Sequence, residues 1–319
     1  MSTAADPAPA SSSSPAPGES AAPALALKID IDTDRGCQAG LPTLLRLLDR
    51  HQVRATFFLT LGPDNMGRAI WRVFTEPGFL KTVQRRGGAS TYGWSILFKG
   101  FLWPGPVLWK KHRDLFRSIA AAGHEVGVHA WDHHHWQRHA PELDATQVRA
   151  VWARMVEAFE ALFGRAPTCA AAPGWRCAAP MLALADEHRL AFVSDVRGQA
   201  PFRPRMGTVS YATPELPTTL PTLDELIGRG DLAREQLNER LFGELKPGGF
   251  NCHTIHAEIE GLDGAGLFDG FLAGVRSRGY TVGPLGPVAA GLDRASLPVH
   301  GVVDATLEGR SAPVSTESL

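Results

Sequence analysis

A chain of 319 residues, 44% of them hydrophobic, is long enough for one large α/β domain or two ordinary ones. Its formal net charge of −1 gives no general electrostatic reason to expect nucleic acid as a partner. The four cysteines, Cys37, Cys169, Cys177 and Cys252, form no C-x-x-C pair, a pattern of buried, reduced thiols in a cytosolic protein rather than of a disulfide frame.

Residues 1–24 are almost entirely Ala, Pro and Ser, without Lys or Arg. They lack the features of a secretory signal and read as a disordered tail, because they cannot bury enough apolar surface to offset their ordering entropy. No run of 18 apolar residues occurs, so no membrane-spanning helix is expected. Leu25–Ile31 reads as a buried strand ending in acidic residues, followed by a helical stripe at Leu41, Leu44, Leu45 and Leu48 with Pro42 in its first turn. Ala55–Leu61 is a second buried strand, closed by Gly62-Pro63. After a long insert, about 62–113, a helix is expected over Asp114–Ala122 and a strand over Glu125–His129. A long amphipathic helix through Val148, Trp152, Met155, Phe159 and Leu162 stops at Gly164. Strands near Thr168–Ala172 and Leu190–Ser194 flank a helix opened by Pro180. A helix near Leu232–Leu245, a strand over Phe250–His256, a helix around Phe268–Val275 and a strand near Tyr280–Val282 complete the alternation. Residues 291–319 show no periodicity and are expected to trail off a domain spanning 25–290.

Strand alternating with helix implies parallel pairing with right-handed crossovers, hence a (β/α) barrel or barrel-like α/β domain. Active sites of such folds gather at the carboxyl ends of the strands. The polar residues closing strands are Asp30 and Asp32, His129 and His133, Asp195, and His256. His129 and His133 lie four apart in His-Ala-Trp-Asp-His-His-His-Trp, so a helical turn there would let both imidazoles share a metal ion. Clustered histidines also suit a solvated loop, and acidic residues at a strand end are often only caps. Two His plus one carboxylate, however, is the ligand set of a catalytic Zn²⁺-type centre. A second carboxylate would then serve as general base.

Taken together these stretches resemble the NodB-like polysaccharide deacetylases, metal-dependent N-deacylases with a distorted (β/α) barrel. The likeness covers roughly residues 25–285 and implies Asp30 as base and Asp32, His129 and His133 as ligands of a divalent ion, Zn²⁺ foremost, with Mn²⁺ or Co²⁺ as alternatives. It implies His256, in Cys-His-Thr-Ile-His, as the general acid, with Asp195 orienting it. Two departures stand out. Ile31 separates an acidic pair that is usually adjacent, so the two aspartate roles are exchangeable, with Asp34 a distant third candidate. The usual Arg-x-Pro-x-Gly motif is replaced by Ala171-Ala172-Pro173-Gly174-Trp175-Arg176, leaving Arg176 or Arg197 to hold the base.

Further blocks resemble one branch of the family: Gly-Pro-Asp-Asn-Met-Gly-Arg (62–68), Tyr-Gly-Trp (92–94), Ser-Asp-Val-Arg-Gly, Leu-Pro-Thr-Leu-Asp-Glu-Leu-Ile-Gly-Arg and Thr-Ile-His-Ala-Glu-Ile-Glu-Gly. That branch deformylates an undecaprenyl-phosphate-linked formamido-arabinose for lipid A modification and polymyxin resistance. The resemblance therefore implies a lipid-linked sugar substrate and an enzyme at the cytoplasmic face of the inner membrane. A deacetylase of another acetamido sugar, or a non-catalytic lipid- or sugar-binding protein, are the alternatives. From Asn65 to Arg113 the insert carries nine Lys/Arg against one acid, Glu76, and it holds Trp71, Trp94, Trp103 and Trp109. Such a segment suits either a membrane-contacting surface or a lid packed on the barrel. His134 and His135 are read as exposed, Asp132 as a partner for a ligand imidazole, and Glu258 and Glu260 as a solvated face or part of a site.

Overall fold

The computed structural model describes residues 24–66, 105–310 and 312–319. The tail before Ala24 and most of the aromatic and basic insert lie outside the described residues. Seven strands form one parallel sheet: β1 (Leu25–Ile31), β2 (Thr56–Thr60), β3 (Glu125–Ala130), β4 (Cys169–Ala170), β5 (Phe192–Val193), β8 (Cys252–His256) and β9 (Val282–Gly283). Their order is β5-β4-β3-β2-β1-β8, with β9 pairing the first residues of β1. Between the sheet ends, β5 and β8, runs an irregular extended segment rather than a strand. Leu216 N donates to Val193 O (2.8 Å) on one side, and Thr219 N donates to Cys252 O (3.0 Å) on the other. The expected distorted (β/α) barrel is thus present, and the distortion lies where residues 214–220 stand in for a strand.

Ten helices among the described residues connect and cover these strands: α1 (Leu41–Arg50), α2 (Leu108–Lys111), α3 (Arg113–Ala121), α4 (His133–His139), α5 (Ala145–Phe163), α6 (Ala179–Glu187), α7 (Leu223–Arg229), α8 (Leu237–Gly243), α9 (Ala265–Ser277) and α10 (Leu285–Ala290). The longest, α5, begins in a capping box between Asp144 and Gln147 and ends where Gly164 takes φ 69°, a left-handed conformation that costs glycine nothing. Its Val148, Trp152, Met155 and Phe159 are buried, each large side chain stabilising by roughly 1.5–3 kcal/mol on leaving water.

Strand alternation divides the apolar residues into two layers. Leu27, Ile29, Ile31, Phe57, Leu59, Val126 and Val128 face outward into the core under the helices. Ala26, Phe58, Cys169, Phe192, Leu216 and Cys252 form a second, smaller cluster with Leu285, Val288 and Ala289 of α10. Side chains on the Ala26 face of β1 therefore climb from this cluster through Lys28 to Asp30 at the carboxyl end, where a site is expected.

The end of the chain does not trail off. β10 (Val299–Ala305) and β11 (Val314–Ser318) join β6 (Arg203–Met206) and β7 (Val209–Ser210) in a second sheet of order β11-β10-β6-β7. Its strands are short and half-exposed, so they lack the continuous apolar run that marks a buried strand. Cross-chain hydrogen bonds secure them, with Arg197 N donating to Ser315 O (3.0 Å) and Glu317 N donating to Arg197 O (2.8 Å).

Candidate active site

The last turn of β1 and the junction of β3 with α4 bring one donor atom each from Asp32, His129 and His133 to within 4.8 Å of one another, all three residues buried. The turn that places His133 is set by Asp132, which caps α4 by accepting from His135 N (2.9 Å) and also accepts from Asn65 Nδ2 (2.6 Å). Asp132 is therefore a helix cap and not, as its position in the motif suggested, a partner of a ligand imidazole. His134 is half-buried, His135 is exposed, and the His135 ring lies tilted against that of His139, centroids 4.9 Å apart.

Hydrogen bonding tests whether this cluster suits a cation. His129 Nδ1 lies 2.9 Å from Ala171 O, and a carbonyl only accepts, so Nδ1 carries the proton. Burial, first of all, and the neighbouring His133 and Lys28 push the His129 pKa well down, so the ring is neutral with a lone pair on Nε2. That lone pair lies 3.3 Å from Asp32 Oδ1, and Asp32 Oδ2 lies 3.3 Å from His133 Nε2. His133 is lowered to about 3 by burial and by the charges of His256, His134 and Arg310. Asp32 Oδ1 and His133 Nδ1 are buried without a hydrogen-bond partner. Burial, with Glu258 and Asp30 beside it, pushes the Asp32 pKa well up, a cost that a divalent ion held among these three donors would relieve.

Asp30 sits beside this cluster, with Oδ2 3.9 Å from His129 Nε2. Burial raises its pKa, and Lys28 and then His256 act against that rise. The cation next to it was not anticipated. Lys28 Nζ is 3.9 Å from Asp30 Oδ2, donates to Ser194 O (2.8 Å), and lies over the rings of Phe58 and Trp175 at 5.3 and 5.7 Å. Neither expected arginine serves here. Arg176 pairs with Asp304 (2.9 Å) and donates to Pro313 O (3.2 Å), while Arg197 is held by Glu225 (2.9 Å). Lys28 sits on a strand with Asp30 two residues on, on the same face, a signal hidden within an apolar run. What the altered Pro-Gly-Trp-Arg stretch supplies is Trp175, held at φ 53° after Gly174 at φ 59°, its indole donating to Thr218 Oγ1 (3.0 Å).

On β8, His256 is the register partner of Asp30 across the β1–β8 ladder. Its ring meets the Trp175 edge at 6.4 Å, its backbone N–H donates to Glu260 Oε2 (2.9 Å), and its Nδ1 lies 4.0 Å from Asp224 Oδ1. Asp195, expected to orient His256, makes no hydrogen bond to His256 Nδ1, and its own Oδ2 is buried without a hydrogen-bond partner. Its amide donates to Glu215 Oε1 (2.8 Å), burial pushes its carboxyl up to about 7, and the charge acting on it is Lys28. Asp34 accepts from Lys111 (2.5 Å) and contacts His112 (2.7 Å), which removes it as a ligand candidate. Glu258 and Glu260 are buried rather than a solvated face. Glu258 Oε1 accepts from Asp32 N (3.0 Å), Thr33 N (2.8 Å) and Thr33 Oγ1 (2.8 Å), fixing the loop that carries Asp32. Burial pushes Glu260 up to about 7. At the described end of the insert, Trp109 packs partly buried against the barrel core.

A Polysaccharide deacetylase family model matches residues 23–193. The chain is 36% identical over 288 residues to a protein of Shewanella sediminis named as the 4-deoxy-4-formamido-L-arabinose-phosphoundecaprenol deformylase ArnD, covering 90% of this chain and 92% of that one. It is 34% identical over 239 residues to a protein of the same name from Wigglesworthia glossinidia brevipalpis, covering 74% and 82%. Among solved structures, a polysaccharide deacetylase from Mycobacterium smegmatis superposes with a TM-score of 0.59 at 19% identity, covering 92% of this chain and 98% of that one. The parallel barrel, the match over more than half the length and the near full-length relatives agree, and the chain belongs to the polysaccharide deacetylase family.

Proposed function

We propose that this protein is a divalent-metal-dependent amide hydrolase that removes formate from 4-deoxy-4-formamido-L-arabinose carried on undecaprenyl phosphate. The observation that carries the reading is the convergence of an unprotonated His129 Nε2, His133 and Asp32 beside a buried Asp30 and its register partner His256. Likeness to proteins named for that substrate, over 90% and 74% of this chain, supports formyl over acetyl.

Asp32, His129 and His133 would hold the ion, and a bound ion would supply Lewis-acid polarisation of the amide carbonyl and a lowered pKa for water. Asp30 accepts the proton of the attacking water; its raised pKa makes it a stronger base than an ordinary carboxylate. His256 donates a proton to the departing nitrogen as the C–N bond breaks, so that formamide and water become formate and a free amine. Lys28, 3.9 Å from Asp30 Oδ2, acts against the rise that burial imposes on that carboxyl's pKa.

Among the described residues no helix is long and apolar enough to cross a membrane. A lipid-linked substrate then requires the enzyme to reach the bilayer surface from the cytoplasmic side. We assign that contact to the basic, tryptophan-containing segment between residues 62 and 113. The test of the function is incubation of the full chain, loaded with Zn²⁺, Mn²⁺ or Co²⁺, with the formamido-arabinosyl lipid while formate is followed. Formate released in step with free amine, and abolished by a chelator, supports the reading. Acetate release from acetamido sugars with no formate from the lipid would replace it with a deacetylase.

A further inference from the structure

The C-terminal sheet reaches the site. On the segment between β10 and β11, Arg310 Nη1 lies 3.1 Å from Glu225 Oε1 and 3.9 Å from Asp224 Oδ2, with its guanidinium over the Trp175 ring at 4.7 Å. Arg197 covers the same indole at 5.1 Å and shares Glu225. The approach is close enough to specify its own residues. Gly309 takes φ 84°, and a Cβ there would meet Glu225 O at 2.2 Å, so only glycine lets the segment lie against α7.

Asp224 is the link. It lies in the first turn of α7, accepts from Thr222 Oγ1, and presents Oδ1 at 4.0 Å from His256 Nδ1, an atom buried without a hydrogen-bond partner. That separation is longer than a hydrogen bond, and it is the kind of contact that tightens when the donor is charged or substrate fills the site. Arg310 spans the two carboxylates, with Nη1 3.1 Å from Glu225 Oε1 and 3.9 Å from the other oxygen of Asp224.

We propose that the C-terminal segment completes the active site: Arg310 holds Asp224 against His256, and Asp224, not Asp195, is the residue that positions the proton donor. All three lie beyond the stretch matched by the family model. The inference rests on the reading of His256 as proton donor, so its test separates the two.

His256→Gln, Asp224→Asn, Arg310→Met and Arg310→Ala are assayed as full-length, metal-loaded protein on two substrates. One is the formamido-arabinosyl lipid, whose amine must be protonated to leave. The other is 4-nitrophenyl formate, whose phenolate leaves without a proton, corrected for spontaneous hydrolysis. His256→Gln should lower kcat on the amide by about 10²-fold or more and affect the ester far less. Asp224→Asn and Arg310→Met should show the same selectivity at about tenfold or more in kcat, with little change in KM. Millimolar guanidinium should restore amide turnover to Arg310→Ala. If His256→Gln is selective while the Asp224 and Arg310 variants depress both substrates alike, or neither, the inference is overturned and the reading of His256 survives. If His256→Gln depresses both alike, that reading falls and the inference falls with it.

Discussion

Asp30 and His256 face each other as register partners on adjacent parallel strands, β1 and β8. Parallel register fixes both side chains on one face at the carboxyl end of the sheet, so a base and an acid more than 200 residues apart in sequence share one rim. Below them the same face of β1 carries Lys28, fully buried among Asp30, Asp195 and Glu215.

Lys28→Met removes the cation that these carboxylates share. Burial raises the Asp30 pKa and Lys28 lowers it, so without the lysine the folded pKa rises further. A base that must be ionised then loses activity at higher pH, and the acid limb of kcat/KM shifts toward alkaline pH. Breaking a buried pair also destabilises by roughly 3–5 kcal/mol. Lys28→Arg should restore most of both. The pH profile and urea denaturation of the two variants check this.

Glu258→Gln should weaken metal binding while leaving the three ligands in place. One carboxylate oxygen accepts from both backbone amides and the hydroxyl of the Asp32-Thr33 loop. Residues that hold a ligand in place typically contribute about 10–100-fold in metal affinity. Calorimetric titration with Zn²⁺ should show a drop of that size, and an unchanged affinity would show that the loop holds itself.

His253 offers a clean pH test away from the site. It is buried against Phe271 with Nδ1 lacking a hydrogen-bond partner, and burial, then Arg197 and His256, lower its pKa to about 3. Its folded pKa lies below the unfolded value, so the unfolded chain binds the extra proton between those values and stability falls as pH drops through that window. At pH 5 this one group costs about 2 kcal/mol relative to neutral pH. His253→Leu should therefore gain about that much on the wild type between pH 7 and pH 5, measured by denaturant unfolding at both values.

Much of this arrangement was legible in the residues. Helical periodicity marked α1 and α5, short apolar runs marked β1, β2 and β3, and polar residues closing strands pointed to Asp30, Asp32, His129, His133 and His256. The supporting residues were not legible, for physical reasons. Lys28 looked like an ordinary lysine in a strand because its partners, Ser194 O and Asp30, come together only in the folded sheet. Arg176 and Asp195 stood where a motif suggested, but the chain sends Arg176 to Asp304 and buries Asp195 beside Lys28 and Glu215. The C-terminal strands are short and half-exposed, and they pair with each other and with the turn-rich segment 203–210, so no local pattern announced them.

The division of labour between the two aspartates of β1 is the claim on which the chemistry turns, and metal content after purification tests it directly. Asp30→Ala, Asp32→Ala and His133→Ala are each dialysed against Zn²⁺ and analysed for bound metal alongside formate release. The expected result is that Asp30→Ala keeps one equivalent of metal and loses turnover, while Asp32→Ala and His133→Ala lose the metal itself. Metal retained in Asp32→Ala and lost in Asp30→Ala would contradict the assignment and exchange the two roles.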